Sequence, residues 1–132
     1  MNAELTEVIS GGVDVSATWE MLNAPNWTGQ WALGYVMDLG TAGNLALNTA
    51  VSYRDASRNF NNATCSCDQD KAYTLWDLGA NWNSSDEVWA VNMYLKNISD
   101  TEYKTGGYNL GSGELAFSGA PRKGKLDVAY QF

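Results

Sequence analysis

Period-two alternation constrains this chain more than any other feature, and its last eight residues show it most cleanly. In Lys125-Leu126-Asp127-Val128-Ala129-Tyr130-Gln131-Phe132, extended backbone places Leu126, Val128, Tyr130 and Phe132 on one face. Lys125, Asp127, Ala129 and Gln131 take the other. An apolar row backed by a polar row suits a wall with lipid on one side and water on the other. A soluble sandwich strand shows the same alternation, but termini of soluble domains tend to fray, and an exposed terminal Phe is unusual there.

The same pattern recurs upstream. Val13, Val15, Ala17 and Trp19 alternate with Asp14, Ser16, Thr18 and Glu20. After Asn23-Ala24-Pro25-Asn26, one face carries Trp27, Gly29, Trp31, Leu33, Tyr35, Met37 and Leu39. Leu45, Leu47, Thr49, Val51 and Tyr53 oppose Ala46, Asn48, Ala50, Ser52 and Arg54. Trp76, Leu78, Ala80 and Trp82 oppose Asp77, Gly79 and Asn81, and Trp89, Val91, Met93 and Leu95 oppose Ala90, Asn92, Tyr94 and Lys96. A tilted strand crosses a bilayer in roughly 9–11 residues, which the longest of these reach. Helix is hard to place; Glu4–Ile9 has room for one turn before Gly11-Gly12 ends it.

The connections alternate as well. Gly40-Thr41-Ala42-Gly43 and Ser84-Ser85-Asp86-Glu87 have the chemistry of short hairpin turns. Two long polar loops, about residues 55–72 and 105–121, separate them, and structureless loops of that length are uncommon in compact soluble domains. Short turns on one side and long loops on the other are expected of an outer-membrane barrel. That arrangement makes Trp82, Trp89, Tyr130 and Phe132 neighbours at one interface, as an aromatic girdle. The expected fold is therefore all-β: an antiparallel up-and-down meander of about five to six strands, forming part of a transmembrane β-barrel.

Composition narrows the function. The 132 residues suffice for one domain, with a formal charge of −7 that leaves no basic surface for nucleic acid. No apolar run approaches the roughly 18 residues of a membrane helix, so any spanning falls to strands. Histidine is absent, which removes the commonest general base and excludes Ser-His-Asp and Cys-His catalysis. No catalytic, cofactor-binding or metal-binding set is expected. Asp68/Asp70 and Asp86/Glu87 read as solvated loop charges, and Asp68-Gln69-Asp70 lacks the remaining ligands of a calcium loop. Cys65-Ser66-Cys67 is too closely spaced for an unstrained bridge and too small for a zinc site, leaving a loop disulfide or a free dithiol. Arg54, Lys96 and Lys125 fall on the polar face, as solvated wall charges or as attractors for an anionic ligand. Phe60, Tyr108 and Phe117 lie in the long loops, where they pack locally or stack on a sugar or chelate ring.

Three segments carry a family resemblance. Leu22-Asn23-Ala24-Pro25-Asn26-Trp27-Thr28 looks like a loop-to-strand transition several strands before a barrel's end. Lys96-Asn97-Ile98-Ser99-Asp100-Thr101-Glu102-Tyr103 is similar to an Asn-Leu-x-Asp-x-x-Tyr segment, with Ile98 in place of Leu. Gly119-Ala120-Pro121-Arg122, followed by the strand ending at Phe132, looks like a closing segment. In this order they resemble the carboxy-terminal end of TonB-dependent outer-membrane receptors, from Leu22 onward, while residues 1–21 match poorly.

The resemblance implies a 22-strand barrel plugged by an amino-terminal domain, importing a metal chelate such as a siderophore, or another bulky nutrient. It also implies that Leu126, Val128, Tyr130 and Phe132 form an assembly signal, with outer-membrane lipid and the barrel-assembly machinery as partners. No plug domain or TonB-contacting segment is recognisable, and Met1-Asn2-Ala3-Glu4 is not a signal peptide, so residues 1–132 are expected to be a piece of a receptor. Asn97 is expected to bond backbone where its strand bends. Six strands cannot close a barrel, so an upstream wall and plug, or further copies of the chain, must complete it. Two other readings stand beside this one: a soluble β-sandwich binding carbohydrate, and a small passive oligomeric pore.

Overall fold

A computed structural model describes residues 6–17, 19, 21–59, 68–110 and 113–132. Its strands are β1 (Ile9–Ser10), β2 (Val13–Asp14), β3 (Thr28–Asp38), β4 (Asn44–Arg54), β5 (Ser57–Arg58), β6 (Gln69–Asp70), β7 (Tyr73–Asn83), β8 (Trp89–Lys96), β9 (Lys104–Asn109), β10 (Glu114–Ser118) and β11 (Lys123–Tyr130). Among the described residues no helix is long and apolar enough to cross a membrane. The chain divides into two compact units.

One unit, residues 29–53, 74–101 and 120–132, holds a five-stranded sheet in the order β11-β8-β7-β4-β3. Strand neighbours in the sheet follow chain order apart from the excursions, so the sheet is an up-and-down meander. Short turns join β3 to β4 and β7 to β8; long connections, 55–72 and 97–122, join β4 to β7 and β8 to β11. β3, β4 and β7 are each 11 residues long, and β8 and β11 are 8.

The register of the last three strands sorts every side chain onto a face. Trp82 pairs with Val91 and Val91 with Val128; Ala80 pairs with Met93 and Met93 with Leu126; Trp89 pairs with Tyr130. On the other face Asn81 pairs with Asn92 and Asn92 with Asp127, while Gly79 pairs with Tyr94 and Tyr94 with Lys125. Directly opposed residues share a face, so the alternation inside each strand becomes one apolar face and one polar face across the sheet. Trp76 extends the apolar face to β4 by donating its indole N–H to Thr49 Oγ1 at 2.6 Å.

The other unit comprises residues 1–28, 54–73 and 102–119. Here β1 and β2 form a hairpin whose turn residues Gly11 and Gly12 have φ +59° and +80°. Two positive φ values are what a tight twisted hairpin demands, so Gly11-Gly12 turns a hairpin rather than ending a helix. The expected strand from Val13 to Trp19 is correspondingly short, stopping at Asp14. Strand β5 pairs with β6, and Leu22 bridges to Arg58. β9 and β10 form a second hairpin with an irregularity between Phe117 and Ser118. The long connections are therefore partly strand, because each carries its own short β-rich run.

Candidate functional site

The residues put forward as an assembly signal lie on β11 and just beyond it. Leu126, Val128 and Tyr130 share the apolar face and are exposed, Leu126 at 65%. β11 stops at Tyr130, two residues earlier than the alternation suggested. Its partner β8 begins at Trp89, so Tyr130 is the last residue with an opposite number. Gln131 donates its backbone N–H to Val88 O at 2.9 Å, and Phe132 extends past this bond, fully exposed. The aromatics nevertheless cluster: ring centroids are 4.7 Å apart for Trp89–Tyr130 and 5.9 Å for Tyr130–Phe132. Trp82, one strand over, donates its indole N–H to Ala42 O at 2.9 Å.

This row belongs to a larger surface. Trp31, Leu33, Tyr35, Leu47, Trp76, Leu78, Trp89 and Met93 are also exposed, where a sandwich would bury the apolar face against a second sheet. Contiguous apolar surface on this scale marks contact with a protein or a membrane. The opposite face pairs polar side chains with one another. Tyr94 donates its hydroxyl to Asn81 Oδ1 at 2.9 Å, and Lys125 pairs with Asp127 at 2.8 Å. Gly79 is buried because Asn48 lies over it; a Cβ there would come 2.2 Å from Asn48 Oδ1. Neither that pairing nor the Trp82–Ala42 bond is visible in periodicity, which reports a face but not which neighbour leans across it.

A turn at residues 97–101 fastens the end of β8. Asn97 is 4% exposed, in the left-handed region at φ +50°. Its Nδ2 donates to Thr101 O at 3.0 Å and to Ala120 O at 3.1 Å, and its Oδ1 accepts from Thr101 N at 2.9 Å. Its own backbone N–H donates to Asp77 Oδ1 at 2.9 Å. Asp100, also left-handed at φ +54°, accepts from Arg122 N at 3.0 Å and pairs with the Arg122 guanidinium at 3.5 Å. Thr101 Oγ1 donates to Thr74 O, and Ile98 N to Trp76 O. Asparagine and aspartate tolerate this backbone region and bond locally, which is why these types occupy the two positions. The structure thus assigns Asn97 the backbone-bonding role expected of it and adds Asp100, whose partner 22 residues on could not be read from spacing.

The remaining candidates divide. Asp68 and Asp70 are not solvated: they are 3% and 5% exposed, with Arg58 3.7 Å from Asp68 and Asn59 Nδ2 donating to Asp70 at 3.1 Å. The two carboxylates sit beside the paired β5 and β6, where the Arg58 guanidinium is an ion-pair partner for Asp68 and the Asn59 amide a hydrogen-bond donor to Asp70, the kind of partner that buried carboxylates require. Asp86 is exposed in the β7–β8 turn, where bonds from Ser84 Oγ and Val88 N hold its carboxyl below the usual carboxylate range. Arg54 donates to Ser57 Oγ at 3.4 Å, and Lys96 is exposed at the end of β8. Tyr108 and Phe117 meet edge-on at 5.7 Å across the β9–β10 hairpin, which is local packing. Phe60, Cys65 and Cys67 lie outside the described residues.

No protein-family model and no curated protein matches the chain. Among solved structures, the chain is similar to part of the ferric yersiniabactin uptake receptor FyuA from Yersinia pestis, with a TM-score of 0.72 at 20% identity. The match covers 84% of this chain and 17% of that one. The matched part is a segment of that TonB-dependent receptor's barrel. The fold is a barrel-segment fold. A meander with one apolar face, short turns at one end and long connections at the other is what such a segment requires.

Proposed function

We propose that this chain is the carboxy-terminal part of the wall of an outer-membrane TonB-dependent receptor that imports a metal chelate such as a siderophore. The observation that carries the reading is the apolar face in register across β7, β8 and β11, on which Trp76, Leu78, Trp89, Met93, Leu126, Val128 and Tyr130 are exposed and Trp82, Val91 and Leu95 half-buried. In this reading lipid covers that face, and the polar face of Asn81, Asn92, Tyr94, Lys125 and Asp127 lines the lumen. Leu126, Val128, Tyr130 and Phe132 serve as the assembly signal presented to the barrel-assembly machinery. The similarity to a ferric yersiniabactin receptor supports a chelate as the imported class.

Among the described residues β3 and β11 are the outer strands of the sheet, and because lipid cannot satisfy the open backbone groups of an edge strand, further wall strands complete the barrel. Refolding the chain in plain buffer and in detergent micelles, followed by far-ultraviolet circular dichroism and size, tests the reading. Sheet that forms only with detergent supports it. A monodisperse β-rich monomer in buffer would overturn it in favour of a soluble binding module.

A further inference from the structure

The terminal strand meets its neighbour across a long connection, and this raises a question of register. In the β7–β8 hairpin the short turn at 84–88 fixes which residues face each other. Between β8 and β11 the connection runs through residues 97–122, and closure entropy changes almost imperceptibly when such a loop gains or loses two residues. The side-chain pattern excludes a slip by one residue, because that would exchange the faces. It does not exclude a slip by two. Sliding β11 by two residues keeps Leu126, Val128 and Tyr130 on the apolar face and sets Val128 or Phe132, again apolar, opposite Trp89 in place of Tyr130.

We infer that the 97–101 turn is a register clasp, which selects one alignment of β11 on β8 from the set that the alternation leaves equivalent. The contacts reach directly from the end of β8 to the residues just before β11: Asn97 Nδ2 to Ala120 O, Asp100 Oδ1 to Arg122 N, and Asp100 to the Arg122 guanidinium. Each would break on a two-residue slide, which moves a partner by more than 6 Å along an extended chain. The anchor itself does not slide, because Asp77 Oδ1 and Trp76 O in β7 hold the Asn97 and Ile98 amides, and Thr74 O holds the Thr101 hydroxyl. The inference rests on the sheet alone and not on the membrane reading.

Thiol trapping tests it on the full chain, refolded in whichever medium yields the sheet, with Cys65 and Cys67 replaced by serine. Val91→Cys is combined in turn with Val128→Cys, its native partner, and with Leu126→Cys or Tyr130→Cys, its partners after a two-residue slide. Oxidation of the parent should favour the 91–128 pair. In a background carrying Asn97→Asp and Asp100→Ala, the yield of a slid pair relative to 91–128 should rise roughly tenfold, as loss of two or three interstrand bonds allows. An unchanged ratio would overturn the inference, as would collapse of the whole sheet, since the turn would then hold the fold and not choose the register. Arg122→Ala, which keeps the backbone bond to Asp100, should give a smaller redistribution.

Discussion

The two ends of the sheet solve the same problem by different means. At the short-turn end, backbone geometry fixes the strands: Gly40–Ala42 forms a single 3-10 turn, Leu39 N donates to Gly43 O, and Ser84 N donates to Trp89 O. The two turns also brace each other, with Ser85 Oγ donating to Thr41 O and Trp82 to Ala42 O. At the opposite end both strand connections are long, and side chains take over, with Asn97 and Asp100 bonding from the end of β8 to the residues just before β11. Where the chain returns within a few residues, glycine and local bonding suffice; where it wanders, a specific amide and carboxylate must recover the alignment.

The largest effect should come from Gly43, at the braced end. Its φ of 96° and ψ of −151° belong to glycine almost alone, and a Cβ would lie 1.9 Å from Asn83 O. Gly43→Ala should cost about 4 kcal/mol from strain and overpacking combined, measured by denaturant unfolding in the refolding medium. Gly40→Ala is the contrast: φ is 60° but nothing lies within 4 Å, so about 1 kcal/mol is expected. Equal losses would show that the turns do not brace each other.

Between the ends, the face itself can be probed. Val91→Arg should cost about 2–4 kcal/mol if that residue sits near the bilayer midplane, whereas Asn92→Arg on the polar face should change stability by about 0.5 kcal/mol or less. Similar costs at both positions would remove the distinction between faces. At the long-connection end, Asn97→Ala strands the buried acceptors and donors it now pairs and should cost about 2 kcal/mol, read in the same unfolding series. A loss as large as that of Gly43→Ala would mean that both ends depend equally on one residue.

The smallest effect is a pH dependence at the braced end. The Asp86 carboxyl is held below its ordinary value by Ser84 and Val88. A depressed folded value means the charged form favours the fold: the contribution is present above the unfolded pKa and fades as pH falls through the folded one. Unfolding midpoints should therefore drop below about pH 4, and Asp86→Asn should flatten that part of the profile. A profile unaffected by Asp86→Asn would assign the acid sensitivity to other carboxylates.

Much of the sheet was legible in the sequence because one physical rule, period two, governs every long strand. The assignment of Trp89, Val91, Met93 and Leu95 to one face and Asn92, Tyr94 and Lys96 to the other holds residue for residue in the register. What alternation cannot report is where pairing stops. β11 ends at Tyr130 because regular pairing stops where β8 begins at Trp89, leaving one further bond from Gln131 N to Val88 O, a fact about the partner and not about Phe132. The same blindness explains Asp68 and Asp70, which look like solvent-facing loop charges until pairing of β5 with β6 buries them beside Arg58 and Asn59. Asn97 was legible as a backbone ligand from its residue type and segment; its reach to Ala120 depends on a strand that returns only after the long connection.

The most direct test of the central claim is a cysteine scan through residues 90–95 of β8, labelled with a fluorophore in the refolded full chain reconstituted into lipid vesicles. Quenching by a lipid-dissolved quencher should peak at Val91, Met93 and Leu95 and fall at Ala90, Asn92 and Tyr94, with a water-soluble quencher showing the opposite phase. Uniform quenching by the aqueous reagent at all six positions would contradict a lipid-facing wall.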